Sequence, residues 1–162
     1  MFLGCIPVSY GRLYTRALDM RGKTKIDGSS NRKVMYAGTD ISKVDGLGDK
    51  TLLADHKQNL TIHKRIDGQG CHKIIDFGTV EVLDRVDGEG DRWFINCSRV
   101  HIDKRKDGAG NLYLVDSPCF IHNKSGAGNV IWVGVEPVIK LHGVTDSGCM
   151  VHDENLRLKV EI

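Results

Sequence analysis

The sequence predicts an all-β chain folded as a right-handed parallel β-solenoid of about seven coils of 18–22 residues. Three observations carry that expectation. An Asp-Gly turn recurs at Asp27, Asp45, Asp67, Asp87 and Asp107, in steps of 18 to 22 residues, with echoes at Ser125-Gly126 and Ser147-Gly148. Between the turns, two columns of apolar residues return at matching places, and one stretch, Cys71 to Gly110, is the same unit twice. No long window keeps a glycine-free apolar stripe of period 3.6, so almost no helix is expected. A fixed repeat of this length is the mark of a stacked architecture.

Cut after each turn, the chain falls into units 31–48, 49–70, 71–90, 91–110, 111–128, 129–148 and 149–162, with 11–30 as a degenerate first unit. The expected division is an N-terminal segment and degenerate coil over 1–24, then a repeat domain over 25–162. The first strand of each unit carries Val34-Met35, Leu52-Leu53, Ile74-Ile75, Phe94-Ile95, Leu114-Val115 and Trp132-Val133. The second carries Ile41 with Val44, Leu60 with Ile62, Val80 with Val82, Val100 with Ile102, Val138, and finally Leu156, Leu158 and Val160. Alternating β-branched residues are a strand signal. A second break lies between the strands at Ala37-Gly38, Phe77-Gly78, Cys97-Ser98, Ser117-Pro118 and Glu136-Pro137, where a proline would cost a central strand a ladder bond. Residues 55–59 lengthen one unit and are expected to bulge. An antiparallel meander with hairpin turns at each Asp-Gly would space strands similarly. Stacked coils alone reward repetition of whole columns, since equivalent residues then lie about 4.8 Å apart.

Two residues before each turn aspartate stands a cation: Lys25, Lys43, Arg65, Arg85 and Arg105, with Lys124 near the corresponding place. Period two puts each cation and its aspartate on one outward face, with Ile26, Val44, Ile66 and Val86 inward between them. The result is a basic stripe (Lys25, Lys43, Arg65, Arg85, Arg105) beside an acidic one (Asp27, Asp45, Asp67, Asp87, Asp107). Such stripes either track an anionic partner or neutralise each other. Only at Lys106 does positive charge exceed its partners. The aspartates could line a calcium ladder, but Asp and Gly are also what tight turns require. Seven histidines show no metal-ligand spacing, and the outward first-strand column, Lys33, Thr51, Lys73, Trp93, Tyr113 and Ile131, lacks a carboxylate. Neither a catalytic group nor a metal or other cofactor is therefore expected. Trp93, Tyr113 and Trp132 suit either a sugar-stacking face or an aromatic stack within the coil.

The 162 residues make one domain, and a formal charge of +2 does not point to a nucleic-acid partner. Five cysteines without a Cys-x-x-Cys suggest reduced structural thiols. The start, MFLGCIPVSYGR, lacks the basic and apolar regions of a signal peptide. No apolar run reaches the ~20 residues of a membrane-spanning helix.

The rungs SKVDGLGDKTLLAD, KRIDGQGCHKIID and DRVDGEGDRWFI resemble those of right-handed β-solenoids. Among these the chain is similar to bactofilins, bacterial cytoskeletal scaffolds, in size, in one Val/Ile-x-Gly turn per coil, and in its Met-Phe start. The resemblance implies a bacterial cytoplasmic homopolymer, with a membrane surface or polysaccharide as a further partner. Independently, ENLRLKVEI reads as an uncapped final strand with Leu156, Leu158, Val160 and Ile162 on one face, and open strand edges invite pairing. The expected function is thus end-to-end self-assembly by a non-enzymatic structural protein. A carbohydrate-binding or carbohydrate-cleaving β-helix, and a viral or phage fibre segment, are the competing readings.

Overall fold

The computed structural model describes residues 24–36, 38 and 41–162. The break expected at Ala37 and residues 1–23 of the N-terminal segment lie outside those residues. In chain order the strands are β1 (Thr24–Ile26), β2 (Arg32–Met35), β3 (Ile41–Val44), β4 (Lys50–Leu53), β5 (Leu60–Ile66), β6 (His72–Ile75), β7 (Thr79–Val82) and β8 (Arg85–Val86). There follow β9 (Arg92–Ile95), β10 (Arg99–Ile102), β11 (Arg105–Lys106), β12 (Leu112–Val115), β13 (Cys119–Lys124), β14 (Val130–Val133), β15 (Val138–His142) and β16 (Met150–His152). A 3-10 turn spans Leu156–Lys159.

All pairings among these strands are parallel, and they form two sheets. One stacks β2, β4, β6, β9, β12, β14 and β16; the other is built on β1, β3, β5, β7, β10, β13 and β15, with β8 and β11 as short continuations. The chain is a parallel β-solenoid of about six turns. The meander is excluded, because its neighbouring strands would run antiparallel. Six turns stand where about seven coils were expected: the last unit contributes only β16 before the chain leaves the stack.

Inward side chains of both sheets meet in one core. Val34, Leu52, Ile74, Phe94 and Leu114 face Ile62, Val80, Val82, Val100, Ile102 and Ile121, all essentially solvent-free. The turns at Asp45, Asp67, Asp87 and Asp107 are held in the same way. At the fifth corner the Asp107 Oδ1 accepts the Gly108 N–H at 2.8 Å, and Gly108 has φ +83°. A Cβ there would sit 2.5 Å from the Gly88 oxygen and 2.7 Å from its nitrogen. The glycine is therefore required twice, for its left-handed backbone and for the coil beneath it. A second ladder runs beside it: Asn31, Asp49, Asp91, Asn111 and Asn129 each accept, through a side-chain oxygen, the corresponding backbone N–H one coil on, at 2.9–3.1 Å.

The same corner hides a feature missed in sequence. Lys50, Arg92, Lys106 and Lys124 are each 1% exposed. They enter the turn from its two flanks. Before the turn, the stacked positions are Ile26, Val44, Ile66, Val86, Lys106, Lys124 and His142. After it, they are Arg32, Lys50, His72, Arg92, Leu112, Val130 and Met150. Every corner thus carries one basic side chain, after the turn in the first four and before it in the last three. For Lys50, Arg92 and Lys106 the task is visible in the hydrogen bonds, whereas Lys124 pairs with the Asp146 carboxylate at 2.5 Å and His72 makes none. Lys50 Nζ donates to the Gly28 and Ser30 carbonyls at 2.9 and 2.5 Å. Arg92 donates to Gly68 and Gly70 at 2.6 Å each and to Asp87. Lys106 reaches Asp107 and Gly110 at 2.7 and 3.0 Å. Tight turns point carbonyls into the corner, and a buried carbonyl without a donor is costly.

Candidate functional site

The outward charge ladder stands where expected. Lys25, Lys43, Arg65, Arg85 and Arg105 lie in register, one over another. Lys43 pairs with Asp45 at 2.9 Å, Arg65 with Asp67 at 2.9 Å, Arg85 with Asp87 at 3.2 Å and Arg105 with Asp107 at 3.2 Å. Burial works against ionisation of Asp45, yet hydrogen bonds from Lys43 and the Gly46 N–H hold its carboxyl below the usual range. Each aspartate spends one oxygen on the following glycine N–H and the other on its cation. The ladder neutralises itself, and its oxygens serve turns. Two positions differ from expectation. Lys124 aligns with Lys106 rather than with Arg105, and both are interior, so the surplus charge at Lys106 is absent from the surface. Burial, with Lys124 and Arg92 nearby, lowers Lys106 to about 8.

The C-terminal residues also depart from expectation. Instead of an edge strand, Leu156–Lys159 form a 3-10 turn that packs against the outer side of the first sheet. The outward residues Ile75, Ile95, Val115 and Val133 make an apolar strip, and Leu156, fully buried, sits on it with Val160 alongside. Arg157 grips Asp116 through two hydrogen bonds of 2.6 and 2.8 Å, Lys159 pairs with Asp153 at 2.7 Å, and Lys73 donates to the Glu161 carbonyl. Leu158 is 85% exposed and Ile162 is also exposed. The four residues Leu156, Leu158, Val160 and Ile162 therefore do not share one face of a strand. A doubly apolar strand end (Ile74-Ile75, Phe94-Ile95) needs a cover outside the core, and this segment provides it.

The open edge lies one strand earlier. Among the described residues β15 pairs with β13 alone and β16 with β14 alone. Val138, Leu141, Met150 and Val151 are exposed there. In each preceding coil the first N–H of the first-sheet strand bonds forward to the next coil, as Val130 does to the Cys149 carbonyl at 2.9 Å. By the same register the Met150 N–H points out of the open end.

The aromatic column is used internally. Trp93 and Tyr113 stack at 4.2 Å and 12° and pack beside the C-terminal segment. Trp132 sits in register with Leu114 instead, its ring against His152 at 4.4 Å. Cys71, Cys97, Cys119 and Cys149 are free thiols, and burial pushes Cys97 up to about 11 and Cys119 higher still. Such thiols are inert packing groups at neutral pH. His72 is buried with neither ring nitrogen hydrogen-bonded.

On the outer face of the second sheet, Glu81, His101 and Asp103 bring ligand-type atoms within 4.8 Å of one another. Glu81 and His101 are register partners on β7 and β10, and Asp103 is two residues beyond His101. The hydrogen bond that protonated Glu81 donates to Asp103 is the main reason that the Glu81 carboxyl is raised above its ordinary value. A groove of about 390 Å³ adjoins His101, lined also by Arg99, Phe120 and Val138. The carboxylates absent from the first-sheet column are thus present on the second sheet. No spacing along the chain reveals them, because these donors meet across coils. No helix among the described residues is long and apolar enough to cross a membrane. Comparison with protein-family models, curated proteins and solved structures returned no match.

Proposed function

We propose that the protein is a non-enzymatic structural protein that assembles end to end, each added copy continuing the ladder at the open coil, into a bactofilin-like filament or scaffold. The observation that carries this reading is the pair of unpartnered parallel edges, β15 and β16, with exposed Val138, Leu141, Met150 and Val151. Strand edges of this kind template further strands unless charged, bulged or covered. Burying these side chains contributes about 1.5–3 kcal/mol each, against an association cost of roughly 4–15 kcal/mol. Main-chain pairing across the junction adds to the favourable side. The bacterial cytoplasmic setting, and a membrane surface or polysaccharide as outer partner, rest on the resemblance alone. A sugar-binding role for the aromatic column has less support, since Trp93 and Tyr113 offer their faces to each other. Negative-stain microscopy at two salt concentrations tests the proposal. Filaments one solenoid wide are expected at both; discrete monomeric particles at both would refute it.

A further inference from the structure

We propose that Glu81, His101 and Asp103 form a binding site for a divalent transition-metal ion, of which Zn²⁺ is the best-suited probe. The donor set is mixed: two carboxylates and one imidazole, presented by neighbouring rigid strands rather than by a loop. Nitrogen-plus-oxygen sets of this kind suit zinc-like ions, whereas calcium and magnesium favour oxygen alone. The spacing agrees. Tetrahedral ligands about 2.1 Å from an ion stand about 3.4 Å apart, and His101 Nδ1 lies 3.4 Å from Asp103 Oδ1.

A separate observation points to a missing partner. Asp103 Oδ1 is closed off from solvent and makes no hydrogen bond, with His101 Nδ1 standing 3.4 Å from it. An orphaned carboxylate oxygen is expensive to bury, and a cation at the centre of the triad would satisfy it. Phe120 packs edge-on to His101 at 4.9 Å and 64°, which fixes the ring. The groove that His101 borders opens to solvent on one side of the cluster.

Equilibrium dialysis of the full chain against Zn²⁺ and Ca²⁺, with zinc-soaked crystals examined by anomalous scattering, tests the site. One zinc between the three side chains is expected, with calcium binding at least about tenfold weaker. The near-isosteric changes Glu81→Gln and Asp103→Asn should each weaken that zinc at least about tenfold while circular dichroism stays unchanged; His56→Ala, on the 55–59 bulge, should leave it in place. Zinc found only at other histidines or cysteines, or equal binding by the Glu81→Gln/Asp103→Asn double variant, would overturn the proposal.

Discussion

At the scale of single residues, the interior basic groups decide how this protein responds to acid. Burial first, and then Arg92 and Lys50, lower His72 from 6.5 to about 3. The folded state therefore holds His72 neutral, while the unfolded chain protonates it below about pH 6.5. Its contribution is intact above pH 6.5 and is lost as pH falls toward 3, with a slope of about 1.4 kcal/mol per pH unit. Leu112 occupies the equivalent place two coils on, so His72→Leu should fold. Urea midpoints at pH 7 and pH 5 should differ less for His72→Leu than for the parent by that slope. Equal differences would show that His72 is not held neutral.

At the scale of the element, the corner is the unit of construction. If this corner needs one buried Lys or Arg from either flank, Lys106→Val should cost about 1–3 kcal/mol by orphaning the Asp107 and Gly110 carbonyls. Adding Leu112→Arg should restore most of it, since Val86 and Arg92 are the arrangement one coil earlier. Denaturant unfolding of the single and double variants checks this; an additive or stabilising result contradicts it. The C-terminal cover makes a second element. Leu156→Ala should cost about 2–5 kcal/mol, whereas Leu158→Lys should stay within about 0.5 kcal/mol, read from thermal or urea unfolding. The columns, the turns and the self-pairing ladder were legible because each repeats at one offset. The corner cation was harder to see, because it changes flank between Arg92 and Lys106 and no single column shows it. The fate of Leu156–Ile162 was illegible for a different reason: alternation looks the same in a strand as in a short 3-10 turn laid on an outer strip.

At the scale of the whole molecule, the stack is closed along its sides and open at β15 and β16. Its outward cation–aspartate ladder pairs within itself, and its first-sheet flank is covered by Leu156 and Val160. What is left for a second copy is the edge itself. The assembly account therefore moves the decisive residues from the last segment to the last coil. Leu141→Lys places charge on the exposed edge, and Met150→Pro removes the outward-facing N–H at the first residue of β16, where proline is tolerated in a strand. Leu158→Lys, away from that edge, is the control. The most direct measurement is sedimentation velocity of the parent and these three variants over a concentration series, with circular dichroism to confirm folding. The parent and Leu158→Lys should form large species as concentration rises, and Leu141→Lys and Met150→Pro should remain single particles. A parent that stays monomeric throughout, or folded edge variants that assemble as readily as the parent, would contradict assembly through the open coil.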